Sequence, residues 1–186
     1  MHGVVMAGLE KFVRENEGER VWRDVRDSSG VDRATYSTTV DYPDEEFIQL
    51  YSYIVSEYKS DEEKLQRQFG NYLFELLVEI YERIYFDEEW DAIAMIDEVE
   101  QTIHQSLKKR RHVEFTPPEL ETERISDQKV EIKYTSDRQL CEVAKGLIDG
   151  VAEYKDTSLD IEEPKCMKEQ GDFCRLVVSE PTDNER

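Results

Sequence analysis

The chain has 186 residues, with 44 Asp and Glu against 24 Lys and Arg and a formal net charge of −20. So acidic a surface repels phosphate backbones and excludes nucleic acid as a partner. The 10% aromatic content excludes a disordered chain, which lacks the apolar groups to offset the entropy of ordering. The length fits one domain with a buried core. The acidity suits a halophile's cytoplasm, where screening over a few Å removes self-repulsion.

Residues 3–9 are apolar, but Glu10, Lys11 and Arg14 follow at once. The run is too short for a membrane span and lacks the basic lead and cleavage site of a signal peptide. It reads as a helix presenting Val4, Val5, Leu9, Phe12 and Val13 to a core, in a cytoplasmic protein with no membrane partner. Three cysteines, an odd number, make no disulfide framework. The helical pattern extends from residue 2 to about residue 112. Over 45–59, Phe47, Leu50, Tyr51, Ile54 and Tyr58 recur at three- and four-residue steps. Ser60 with Glu63 reads as a capping box for a helix carrying Leu65, Phe69, Tyr72, Leu73, Leu76, Leu77 and Ile80. A further helix over 87–111 carries Trp90, Ile93, Ile96, Val99, Ile103 and Leu107, and its basic last turn, 108–112, complements the helix dipole.

Thr116, Pro117 and Pro118 end the helical regime, because proline removes a donor and its predecessor avoids α geometry. Val130, Ile132 and Tyr134 alternate with Lys129, Glu131 and Lys133 as a half-buried strand. Residues 140–155 return to helical spacing, and 158–162 and 173–179 predict two strands of a hairpin. The polar tail, 181–186, is expected to be frayed. The fold class is therefore α+β: a helical N-terminal lobe, then a smaller lobe with an antiparallel sheet. No P-loop, nucleophile elbow or HExxH occurs. The acidic triplets at 44–46 and 61–63 are helix starts rather than catalytic pairs, so no enzyme is expected.

The histidines are His2, His104 and His112. His104 falls on the flank of an apolar helix face, where it is either a hydrogen-bonded core residue or an axial haem ligand; periodicity does not choose. Tyr134, Ser136 and Arg138, at alternate positions, place two hydroxyls and a guanidinium on one face of an extended chain. Such a set matches paired carboxylates, and haem carries two propionates.

In these motifs and their order the chain resembles the H-NOX family of haem nitric oxide and oxygen binding domains. The resemblance runs through Met1-His2-Gly3-Val4-Val5, Tyr42-Pro43-Asp44, Phe69-Gly70-Asn71-Tyr72, His104, Pro117-Pro118, Tyr134-x-Ser136-x-Arg138 and Gly146-Leu147-Ile148-x-Gly150. It implies a single H-NOX-like domain over 1–180, with a distal helical subdomain (1–62), a proximal α+β subdomain (63–180) and a flexible tail (181–186). It further implies non-covalent haem b with His104 as the proximal iron ligand and Tyr134, Ser136 and Arg138 clasping the propionates. Pro118 or Pro117 would pack against the porphyrin and distort it. Two departures are Gln101, where family members usually carry Asp, and a histidine-to-proline interval one residue longer.

Oxygen-binding members of that family place a distal tyrosine at the position of Val143. With Val5 and Leu9 also apolar, the resemblance implies selectivity for nitric oxide, although Tyr72 or Tyr154 reaching in would change that. The implied mechanism is a switch. NO weakens the Fe–His104 bond, the proximal helix shifts with Gly70 as a hinge, and a separate signalling protein reads the shift. That partner would be a histidine kinase, a cyclase or a chemotaxis component. Some members also bind structural zinc, and the matching residues here are Cys141, Cys166 and Cys174, with Glu163 as the fourth ligand, or else Asp160 or Glu162. The alternative function is a haem-free, zinc-stabilised redox or protein-interaction module.

Overall fold

Helix α1 (Gly3–Glu17) begins where His2 caps it, the imidazole Nδ1 accepting from the Val4 N–H at 3.1 Å. A β-carbon on Gly3 would lie 2.1 Å from the Ser37 carbonyl oxygen, so only glycine admits the loop that closes over this end. Gly18, at φ +92°, turns the chain into α2 (Glu19–Ser29), where only Trp22 and Val25 are buried. The computed structural model describes residues 1–58, 61–105, 117–169 and 171–181. Helix α3 (Asp44–Tyr58) comes next, then the long α4 (Glu62–Tyr85). The cap of α4 is Asp61, whose carboxylate accepts from the Lys64 N–H at 3.1 Å. Ser60, expected in that role, lies outside the described residues.

The next helix starts later than its periodicity suggests. Asp87 accepts from the Glu89 N–H in a local turn, and Asp91 caps the helix through the Ala94 N–H at 2.7 Å. Aspartates offer the backbone such alternatives to helix, and two of them delay the start by five residues. Helix α5 (Ala92–Glu98) then widens into a π-helical turn, Val99–His104. The basic run at 108–112, the end of this helix and residues 182–186 lie outside the described residues.

Strands β1 (Glu119–Ser126) and β2 (Lys129–Thr135) precede α6 (Cys141–Tyr154), and β3 (Asp160–Lys165) and β4 (Cys174–Ser179) close the fold. The four strands form one antiparallel sheet in the order β1-β2-β4-β3. The expected hairpin is β3–β4. Strand β1 has no counterpart among the sequence expectations. Strand β3 is an edge, and its register shifts between Glu162 and Lys165, around Pro164, which has no N–H for the ladder.

Two large apolar cores result among the described residues, beside a smaller cluster around Tyr134, Cys141, Met167 and Cys174. One packs α1, α2 and α3 around Trp22, Phe47 and Phe69, and the other packs α5 and α6 on the sheet around Phe74, Ile93, Val130 and Leu176. Helix α4 serves both, and it crosses α6 at very short range. A β-carbon on Gly70 would meet the Val143 carbonyl oxygen at 2.3 Å, and one on Gly146 the Arg67 carbonyl oxygen at 2.1 Å. Gly70 thus sits inside a helix at a close backbone contact. No described helix is long and apolar enough to cross a membrane.

Candidate functional site

The crossing of α4 and α6 leaves a cavity of about 260 Å³ between these helices, the start of α1, α5 with its π turn, and the sheet. Its walls are chiefly Leu, Ile, Val, Phe and Met side chains, with the polar groups few. Such a lining suits a large apolar ligand fixed by a few placed polar groups. His104, the last residue of the π turn, is half-buried on the wall, as is Pro118 at the entrance to β1. A π turn carries one more residue than the α turn it replaces and re-aims the side chains beyond it, which is why such turns mark functional positions.

Tyr134, Ser136 and Arg138 line the same cavity. Their convergence is not that of an extended strand. Tyr134 lies in β2, but the chain then turns: Ser136 Oγ accepts from the Arg138 N–H (3.3 Å), the Ser136 carbonyl accepts from the Gln139 N–H (3.1 Å), and Gln139 has φ +53°. Serine prefers such turns to continued ladders. Tyr134 is 5% exposed, and burial pushes its phenol up to about 12, against the opposing hydrogen bond with Ser136.

Arg138 Nε donates to Asp44 Oδ2 at 2.8 Å, and the Met1 ammonium lies 2.5 Å from Asp44 Oδ1. Burial raises the Asp44 pKa, but hydrogen bonds from the ammonium and from Arg138 outweigh it and hold the carboxyl below its ordinary value. The motif arginine is thereby tied to the first turn of α3, 94 residues away in sequence.

Val5 and Val143 line the cavity together with Leu73 and Leu77. Leu9 does not reach it; it packs in the N-terminal core at 1% exposure. Pro117 is buried but is not on the wall. The hydroxyls of Tyr72 and Tyr154 are engaged at the surface by Glu15 (2.7 Å) and Glu82 (2.5 Å). Met1 and His2, which the sequence marked only as part of the opening motif, also line the wall, as do Tyr81 and Thr122, which it did not single out. The apolar repeat of α4 runs on to Tyr81, so that residue had a local signal and Thr122 had none. A cavity with an imidazole on its wall and a guanidinium and hydroxyls among its few polar groups fits haem and its two carboxylates.

A second site adjoins the first. Cys141 opens α6, Cys174 opens β4, Cys166 lies just past β3 and Glu163 within it, and their ligand atoms all lie within 4.8 Å of one another. Cys174 Sγ lies 3.1 Å from Cys141 Sγ and 3.8 Å from Cys166 Sγ, and all three are free thiols. Tetrahedral zinc with Zn–S near 2.3 Å spaces its sulfurs by about 3.8 Å. Burial raises the thiol pKa of both Cys141 and Cys174. Asp160 and Glu162 fall on the exposed alternate positions of β3 and are not in the cluster. Lys145 ties the group to α6, its ammonium 2.5 Å from both Glu142 Oε1 and Glu163 Oε2. Tyr134 packs with Cys141, Met167 and Cys174, so cluster and cavity share a wall.

Fold and site together define a small α+β domain that encloses a histidine-bearing apolar pocket. The haem-NO-binding family model matches residues 2–163, and the chain belongs to that family, the H-NOX domains, whose members are haem-binding gas sensors. Its structure is similar to that of an H-NOX protein from S. oneidensis in the Fe(II)NO state, with a TM-score of 0.89 at 22% identity, covering 98% of this chain and 100% of that one. An H-NOX domain from Shewanella oneidensis in the Fe(II)CO state gives 0.85 at 22% identity, with the same coverages. The unliganded Fe(II) H-NOX protein from K. algicida gives 0.82 at 18% identity, covering 98% of both chains. No curated protein matches the chain.

Proposed function

We propose that the domain binds haem b non-covalently, senses nitric oxide in preference to oxygen, and signals in trans to a separate protein. The observation that carries the reading is that His104, Pro118, Tyr134, Ser136 and Arg138, from three separate stretches of chain, line one cavity. His104 would hold the iron, Tyr134, Ser136 and Arg138 would hold the propionates, and Pro118 would bear on the ring. Haem, when bound, supplies a ferrous iron to which diatomic gases coordinate. Val5 and Val143 bring no hydrogen-bond donor to that cavity, and a donor is what stabilises bound oxygen, whereas NO needs none.

The chain's own part in signalling is conformational. His104 stands at the end of a π turn continuous with α5, and Arg138 is tied to α3. Tension or release at His104 therefore acts on α5, while the other edge of the site is held to the N-terminal helices. A signal requires that NO favour one arrangement over the other, and the partner must read the same difference.

The Cys141, Cys166, Cys174 and Glu163 group is proposed to hold structural zinc, tying the start of α6 to the β3–β4 hairpin. The test is an absorption spectrum of haem-reconstituted, reduced protein before and after NO and after oxygen. A Soret band that shifts with NO and is unmoved by oxygen is expected, as is loss of stable haem from His104→Gly without added imidazole. An unchanged Soret spectrum in His104→Gly would sink the ligand assignment. A chain that takes up no haem would turn the reading to a haem-free interaction module.

A further inference from the structure

The cysteine cluster has a neighbour that its candidate ligand set alone does not explain. Lys145 is only 12% exposed, and lysine is rarely so buried unless paired. It stands one helical turn beyond Cys141, on the same face of α6. Its ammonium binds Glu163 through Oε2 and Glu142 through Oε1, each at 2.5 Å. The other oxygen of the candidate ligand, Glu163 Oε1, is buried and makes no hydrogen bond of good geometry, although the Cys174 thiol is within reach of the carboxylate. An unsatisfied buried acceptor is costly, and a carboxylate oxygen costs more than a neutral one. The oxygen that lacks a partner thus belongs to the residue whose carboxylate stands within 4.8 Å of three cysteine sulfurs.

Charge gives a second argument. Three thiolates and a carboxylate around a divalent cation sum to −2, one more negative charge than when the fourth ligand is a neutral imidazole. In a buried cluster an uncompensated charge is expensive. A lysine fixed against the carboxylate offsets part of that surplus, since the same ammonium also faces Glu142.

We propose that Lys145 is the positioning residue of this metal site. By holding Oε2 it leaves Glu163 a single-oxygen ligand through Oε1, keeps the site four-coordinate, and offsets part of the surplus charge that a carboxylate brings. The proposal rests on the zinc reading above. A merely structural triad, with Glu142, Lys145 and Glu163 bracing α6 against β3, would explain the ion pairs but not the orphaned oxygen.

The experiment is competition of zinc between a chromophoric chelator and the metal-free chain. It compares wild type, Lys145→Gln, Glu142→Gln, Glu163→His and the double variant Glu163→His/Lys145→Gln, with circular dichroism of each as the folding control. Wild type is expected to take up one zinc per chain, and Lys145→Gln to bind it roughly 10- to 100-fold more weakly, the range for loss of a partner that orients a metal ligand. In the Glu163→His background the same lysine change is expected to cost much less, since an imidazole needs neither the orientation nor the counter-charge. Glu142→Gln leaves Lys145 wholly to Glu163 and is expected to bind zinc as well as wild type or better. That variant tests the proposal even where Lys145→Gln fails to fold. Equal affinity in wild type and Lys145→Gln overturns the proposal, as does an undiminished loss in the histidine background. A weakening by Glu142→Gln as large as that by Lys145→Gln identifies a brace and overturns it too. A wild type that binds no zinc overturns the metal reading itself, and this proposal with it.

Discussion

Replacing Gly146 by alanine adds one methyl group where α6 crosses α4, and the structure gives that methyl group no room. The added β-carbon would stand 2.1 Å from the Arg67 carbonyl oxygen and 2.9 Å from both the Arg67 carbonyl carbon and the Asn71 nitrogen, whereas real β-carbons essentially never come within 3.0 Å. All three neighbours are backbone atoms of a helix, so no side chain can rotate away and the two helices must part. Overpacking of this kind costs about 1–3 kcal/mol, and rigid backbone neighbours put Gly146 at the upper end. Alanine returns about 1 kcal/mol through its better helix propensity. The net loss is about 2 kcal/mol, and for a chain of this size that lowers Tm by roughly 4–8 °C. Gly8→Ala provides the internal control. There the added carbon would press on the tip of Leu73, Cδ1, at 2.9 Å, a contact that a flexible side chain relieves, and would meet Leu76 and Phe69 at ordinary distances of 3.5 and 3.8 Å. Gly8→Ala should therefore leave Tm unchanged or raise it by roughly 2–4 °C. Thermal unfolding of both variants, each carrying the same chemical change within a helix, separates crowding from propensity. A Gly146→Ala protein as stable as wild type would refute the close-contact argument for the α4–α6 crossing.

Asp44→Asn should destabilise the fold at pH 7 and the gap should close on acidification. The folded-state pKa is held below its ordinary value of 3.8, so the carboxylate's contribution is present above that value and is lost as pH falls through the lowered pKa. Denaturant melts of both proteins between pH 7 and pH 3 check this, and a gap that widens toward acid would contradict it. Val143→Tyr places a phenol on the apolar wall. It should confer a ferrous–oxygen spectrum that wild type lacks, with overpacking costing about 1–3 kcal/mol in an equilibrium melt; a variant as inert to oxygen as wild type would count against the donor argument. Chelating zinc should lower the Tm of wild type by several degrees and leave that of Cys174→Ser unmoved, because a ligand that binds only the folded state stabilises it by mass action. Equal sensitivity of the two to the chelator would contradict the metal reading.

The elements that can be read from the sequence are those whose burial keeps a local period. Helices α3 and α4 and strand β2 repeat their apolar residues at the helical or strand interval, and among the described residues the structure buries or half-buries those faces. Strand β1 escapes because it is an edge strand of the sequence ELETERIS, whose residues are exposed apart from Leu120 and Thr122. Its pairing is decided by β2, which brings Leu120 opposite Tyr134. The site divides in the same way. His104 and the Tyr134, Ser136 and Arg138 set stand out by type and spacing, and the cavity gathers all four. Asp44 belongs to the Tyr42-Pro43-Asp44 motif, but its role does not stand out, since in its own segment it is one of three acids at the start of a helix and its bond to Arg138 exists only once the chain has folded. Lys145 is hidden for the same reason. On α6 it is an ordinary i+3 partner for Glu142, and only the return of β3 places Glu163 on its other side. The register shift around Pro164 belongs to that return. The residues which adjust the two sites, as distinct from those which would bind, are therefore set by contacts distant in sequence. Substituting them should change affinity and coupling while the motifs that mark the family stay intact.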